Sequence, residues 1–173
     1  GNHEYFAELY LENKLSETRW SIYGGDSIIK AIKGMTLLEK NRSTRGYDAS
    51  FIVRKDQLRR IVSVNSKVAS ARNRQPLRFR LVTAEEAQKV LPYIRMGSAL
   101  SEMNLPLPGH EPNAFIVVCS VIEPRQSTYI DLGISVQSML LQAVEIGLNG
   151  LCIMSFDKER IVSELNLHYE PLM

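Results

Sequence analysis

Two apolar periods alternate along this chain, and the points where one gives way to the other mark its elements. Residues Asn2 to Trp20 set Phe6, Leu9, Tyr10 and Leu15 among charged neighbours at loosely helical spacing and stop before Gly24-Gly25, which reads as an N-terminal extension over 1–25, a packing arm or a helix lying on a partner subunit. Asp26 suits a helix N-cap, and Ile28, Ile32, Met35 and Leu38 then mark one face of a helix to about Lys40. Phe51 to Val53 reads as a short strand, and Asp56 as the cap of a helix with Leu58, Ile61, Val62 and Asn65 inward. Leu77 to Leu81 alternates with a period of two, the mark of a half-buried strand ending near Val82.

Farther on, Thr83-Ala84-Glu85-Glu86 has capping-box spacing and opens a helix through about Leu91. Pro92 to Pro112 contains Pro106, Pro108, Gly97 and Gly109 as well, so an irregular excursion is expected there. Ala114 to Ile122 is continuously apolar and β-branched, as in a strand covered on both faces. Tyr129 to Leu148 is the longest helical stretch and is apolar on nearly every side, which places it at the centre of a domain or at a subunit interface. Gly147 and Gly150 close it, Leu151 to Phe156 reads as a second buried strand, and Asp157 caps a last helix carrying Ile161, Val162 and Leu165. Strands and helices thus mix in one domain over 26–173, either α/β or α+β.

Composition narrows this only at a few points. The 173 residues carry a formal net charge of +2, but between Arg42 and Arg80 there are eleven Lys/Arg against Asp48 and Asp56 alone. Such a block attracts anions: a nucleic acid, a phosphate-bearing cofactor or a charged substrate. Aromatic residues suited to base stacking are few there, Tyr47, Phe51 and Phe79, which disfavours a nucleic-acid module. Cys119 and Cys152 lie in apolar runs without metal-ligand spacing and read as small core residues of a reducing compartment. His3, His110 and His168 show no ligand or nucleophile-base spacing, so neither a metal site nor a hydrolase is expected. No apolar stretch approaches a membrane span and the start lacks a signal-peptide layout, so a cytoplasmic protein without membrane contact is expected.

Two segments carry chemistry. In Asn41-Arg42-Ser43-Thr44-Arg45-Gly46-Tyr47-Asp48, two guanidiniums flank two hydroxyls, a set that grips phosphate oxygens. In Val68-Ala69-Ser70-Ala71-Arg72-Asn73-Arg74-Gln75-Pro76-Leu77, a hydroxyl and two carboxamides precede a proline-stopped turn, neutral groups suited to reading the edge of a heterocycle.

Taken in order with Asp131-Leu132-Gly133, the helix to Gly147-Leu148 and the run to Phe156-Asp157, these segments resemble the nitroreductase family of FMN-dependent oxidoreductases. The first looks like its Arg-Arg-Ser-x-Arg-x-Phe signature and the second like its Ala-Pro-Ser-x-x-Asn-x-Gln-Pro-Trp turn, with departures at Asn41, Ala69 and Leu77. The resemblance spans roughly Ile28 to Leu167 and implies an α+β fold, a central mostly antiparallel sheet wrapped by helices, as an intertwined homodimer. It also implies that Arg42, Ser43 and Arg45 meet the phosphate, ribityl chain and pyrimidine edge of FMN, that Ser70 and Asn73, with Gln75 as a further candidate, lie near its ring from the other subunit, and that the N-H groups around Met154 and Ser155 approach N5.

The activity implied is hydride transfer from NAD(P)H to FMN and onward, by a ping-pong mechanism, to a small aromatic acceptor such as a nitroaromatic or quinone, with no catalytic side chain. The last strand and C-terminal basic residue of the family pattern are expected to be missing after Met173. The alternatives are a dimeric scaffold without FMN and a polyanion-binding module.

Overall fold

A computed structural model describes residues 34–97, 100 and 102–173; the expectations for Asn2 to Trp20 and for Asp26 lie outside the described residues. The chain divides into two compact units at Lys40/Asn41. Of the first, residues 34–40 form helix α1, in line with the Met35 and Leu38 spacing.

The second unit is built on three antiparallel strands in the order β1 (Leu77–Val82), β2 (Phe115–Ser120), β3 (Glu170–Pro171). Leu77 lies opposite Ser120 and Val82 opposite Phe115, while Cys119 and Ser120 pair with Pro171 and Glu170. Because successive side chains of β2 point to opposite faces, its unbroken apolar run feeds two cores. Val118 joins Ile61, Leu132, Val136, Met139 and Leu172, and Val117 and Cys119 join Val82, Ile161 and Leu165. Strand β1, at the edge of the sheet, keeps its alternation: Leu77 and Phe79 pack on the first core, and Arg80 turns aside to meet both carboxylate oxygens of Glu86 at 2.8 and 2.9 Å.

Among the described residues of this unit, helices α2 (Lys55–Ser63), α3 (Gln126–Glu145) and α4 (Lys158–Leu165) pack on the sheet through the two cores. Asp157 caps α4 as the sequence predicts, accepting from the Arg160 N-H at 3.0 Å. Helix α3 starts and ends three residues earlier than its apolar pattern, because the Thr128 hydroxyl accepts the Arg125 N-H at 3.2 Å and opens the helix at Gln126. It ends before Gly147, whose φ of 80° is the left-handed conformation that stops a helix, and the Leu148 N-H folds back to Ala143 O at 2.9 Å. Among the described residues no helix is long and apolar enough to cross a membrane.

Five expectations need correction. Phe51 to Val53 is not a strand, because the Asn113 carboxamide takes the place of a neighbouring strand, donating to Phe51 O at 2.7 Å and accepting from Val53 N at 3.2 Å. Asp56 does not cap α2: Arg54 stands at the N-cap position with its N-H on Gln57 Oε1 at 2.9 Å, and Asp56 sits in the first turn with its carboxylate on the Arg54 guanidinium at 2.9 and 3.0 Å. After Thr83 the chain makes a 3-10 helix, Ala84–Lys89, because the Glu86 that a capping box needs is drawn to Arg80. Leu151 to Phe156 is not a strand and forms a single bridge, Phe156 with Ile94, since the segment opposite it is itself irregular. Cys119 is buried, and burial pushes its thiol up to about 11, but Cys152 is exposed.

Candidate functional site

The arm 41–48 has no regular secondary structure and is shaped by side-chain bonds to its own backbone. Thr44 Oγ1 donates to Arg42 O at 3.3 Å, an Arg45 Nη to Ser43 O at 3.2 Å, and the Tyr47 hydroxyl to Thr44 O at 2.7 Å. The segment after α3 holds the arm from below: Asn149 Oδ1 accepts from Asn41 Nδ2 and from the Arg42 N-H, and Gly150 O accepts the Thr44 N-H at 3.2 Å. Gln137 of α3 adds a bond to Asn41 Oδ1 at 3.3 Å.

Arg42 and Ser43 stand exposed at the tip, and Arg45 turns inward. Among the described residues, Arg45 Nε is the one buried side-chain polar atom without a hydrogen-bond partner. It lies against Gly97, whose φ of 88° favours glycine and where an added Cβ would stand 3.1 Å from Nε and crowd it. A buried guanidinium nitrogen with a donor to spare is an anion-seeking group.

The same segment continues to the second pair of expected site residues. Met154 is 63% exposed, and Ser155 O accepts the Arg95 N-H at 2.9 Å. Among the described residues neither the Met154 nor the Ser155 N-H has an acceptor, so two adjacent main-chain donors are presented there. The arm and this segment, joined by the Thr44 N-H on Gly150 O, together form one wall through Thr44, Tyr47 and Leu151. Beneath it lies a cavity of about 480 Å³ walled mainly by apolar groups, among them Tyr47, Phe51, Phe115, Met139, Leu151 and Cys152. Burial there pushes the Tyr47 phenol up to about 12 against the opposing pull of Arg45.

Ser70, Asn73 and Gln75 form a separate group. Arg72, Asn73 and Gln75 all have positive φ, 54°, 52° and 48°, a left-handed run that non-glycine residues seldom adopt. It is held by the Ser70 carbonyl on Asn73 N at 2.9 Å, the Ser70 hydroxyl on Gln75 N at 3.0 Å, and Gln75 Nε2 on Asn73 Oδ1 at 2.9 Å. Asn73 Nδ2, Gln75 Oε1 and the Ser70 hydroxyl hydrogen remain uncommitted among the described residues, two donors and an acceptor. Asp131 of α3 fixes the start of the turn by accepting the Ala71 N-H at 2.9 Å.

Helix α3 thus carries both groups, the turn through Asp131 and the arm through Gln137. Six residues separate them, about 9 Å along the axis and about 240° around it. Within one chain the two groups hang from different faces of α3.

Asp131, Asn149 and Gly97 were not expected from the sequence. Asp131 left a signal, as the one carboxylate in an otherwise uncharged helical run from Gln126 to Val144; Asn149 and Gly97 act on neighbours far away in sequence.

Residues 38–118 match the profile of the Nitroreductase family. The chain is nitroreductase-like. A nitroreductase family protein of Clostridium difficile 630 superposes with a TM-score of 0.60 at 25% identity, covering 79% of this chain and 77% of that one. A protein of Exiguobacterium sibiricum named as a nitroreductase in complex with FMN gives 0.63 at 20%, over 80% and 84% of the two chains. The nitroreductase family protein of Streptococcus pneumoniae TIGR4 gives 0.64 at 14%, over 80% and 86%; these two likenesses establish the fold. No curated protein matches the sequence. In this nitroreductase-like chain, Asn41 replaces the first arginine of the resembled signature and ties the arm to Asn149 and Gln137.

Proposed function

We propose that the chain is the protomer of an FMN-dependent NAD(P)H oxidoreductase, a homodimer acting in the cytoplasm on a small aromatic acceptor. The observation that carries this is the set of unmatched donors on two bonded segments: Arg45 Nε on the arm and the Met154 and Ser155 N-H groups on the segment that holds it. FMN, when bound, supplies the redox chemistry, hydride acceptance from NAD(P)H at N5 and ping-pong delivery of electrons to a nitroaromatic or quinone.

The residues suit that group in three ways. Arg42, Ser43 and Arg45 offer guanidinium and hydroxyl donors to phosphate and to the electron-rich pyrimidine edge. The Met154 and Ser155 amides suit a ring nitrogen that needs donors. Asn73 Nδ2, Gln75 Oε1 and the Ser70 hydroxyl supply a donor, an acceptor and a donor, the complement of an edge made of carbonyl, N-H and carbonyl. The family resemblance implies that a second copy of the chain brings one chain's turn to the other's arm, and the placing of the two on different faces of α3 agrees with that. Ile130 and Ile134, one helical turn apart on α3 and 57% and 44% exposed, are the apolar surface for that contact. No side chain is assigned acid or base work.

The test is FMN fluorescence quenching with wild type, Arg45→Ala and, as a surface control, Arg59→Ala. Arg45→Ala should lose about 1.5–3 kcal/mol of affinity, as for a hydrogen bond to a charged group, and Arg59→Ala nothing. Equal affinity in all three would refute the role of the orphan guanidinium.

A further inference from the structure

Helix α3 carries a polar seam inside the protein. Thr128, Asp131 and Ser135 are 1%, 5% and 2% exposed and lie three and four residues apart, on one side of the helix. Each is matched: Thr128 by Arg125, Asp131 by the Ala71 N-H at 2.9 Å, and Ser135 by Asn65 Oδ1 at 2.5 Å. Thr128 closes its own helix. The other two reach across to the connector between α2 and β1, Ser135 at its beginning and Asp131 where the chain enters the left-handed run.

The chemistry at these two points differs. A hydroxyl is easily buried with one partner, whereas burying a carboxylate is strongly unfavourable unless the bond it makes is worth the desolvation. A carboxylate is also the strongest acceptor a side chain offers to a backbone N-H. It is spent on the first amide of a turn in which Arg72, Asn73 and Gln75 are left-handed, each at roughly 1–2 kcal/mol. With that amide released, the extended Ser70 and the turn after it are free to relax toward ordinary φ, and both carboxamides swing away.

We infer that Asp131 is the positioning residue of the Ser70–Gln75 turn. Through the Ala71 N-H it sets the direction in which Asn73 and Gln75 present their carboxamides to the flavin. The inference rests on the flavin reading of the turn, and its test separates the two.

Amide hydrogen exchange is measured first on the FMN-free protein. In wild type the Ala71 amide should exchange more slowly than the Arg72 amide beside it; Asp131→Ala should erase the difference, and Asp131→Asn, whose amide oxygen still accepts, should keep it. Equal exchange of the two amides in wild type, or protection that survives Asp131→Ala, overturns the inference. Should Asp131→Ala fail to fold, the wild-type comparison decides alone. FMN binding is then measured on the same proteins with Ser135→Ala, which loosens the seam without touching the turn. Asp131→Ala should weaken FMN about tenfold and Asp131→Asn far less. Ser135→Ala should lower the melting temperature and leave FMN affinity unchanged. Equal weakening by Asp131→Ala and Ser135→Ala reduces Asp131 to a packing role and overturns the inference. Wild type that ignores FMN while Ala71 remains protected refutes the flavin reading instead.

Discussion

Thr44 donates its N-H to the carbonyl of Gly150 at 3.2 Å, which anchors the basic arm by main chain to the segment that leaves helix α3. The arm is thereby joined to the segment that goes on to Met154 and Ser155, whose amides have no acceptor among the described residues, although the two segments are far apart in sequence. Asn149 doubles the anchor through its Oδ1.

Removing that second anchor tests the wall. Asn149→Ala deletes the acceptor shared by Asn41 Nδ2 and the Arg42 N-H. FMN affinity should fall by about 1 kcal/mol, measured by fluorescence titration, and Asn149→Asp, which keeps an acceptor, should recover most of it.

Tyr47 gives a pH signature of the arm. Its phenol is raised from 10.0 to about 12, chiefly by burial. Because the folded value lies above the unfolded one, the stability this group contributes is complete below pH 10.0 and is lost as pH rises through about 12. Urea denaturation should show wild type more stable than Tyr47→Phe by about 1 kcal/mol near neutrality, the worth of the bond to Thr44 O. That margin should shrink above pH 10.0. Tyrosinate absorbance of the folded protein should show Tyr47 among the last phenols to ionise.

Ile130 and Ile134 test the assembly. Replacing both with Lys places two charges on the exposed stripe of α3 without touching the buried face that carries Leu132, Val136 and Met139. Sedimentation should report a species of half the wild-type mass that still shows helical circular dichroism, and FMN binding should be lost with the dimer. A wild-type monomer that binds FMN would contradict the arrangement.

What was legible beforehand followed from local periodicity. Alternation gave β1, the unbroken apolar run of β2 announced a strand covered on both faces, and the long apolar stretch became α3 with its start shifted by a hydroxyl cap and its end by the left-handed Gly147. The failures share a cause: a long-range partner outbid the local pattern. Phe51 to Val53 has strand composition, but the Asn113 carboxamide satisfies its backbone; Leu151 to Phe156 has it too, yet faces an irregular neighbour and makes one bridge. Glu86 left its capping box for Arg80. The residues that hold the candidate site were hidden for the same reason, since Asp131 and Asn149 act on backbone N-H groups of distant residues, Ala71 and Arg42, which no spacing rule connects.

The central claim is that these unmatched donors hold a flavin that NAD(P)H reduces. Its most direct test is an anaerobic titration of the FMN-reconstituted protein, first with NADH and then with NADPH, followed by addition of a quinone. The account predicts that one or both nucleotides bleach the visible flavin band and that the quinone restores it. A protein that takes up no FMN, or whose bound flavin neither nucleotide bleaches, would contradict it.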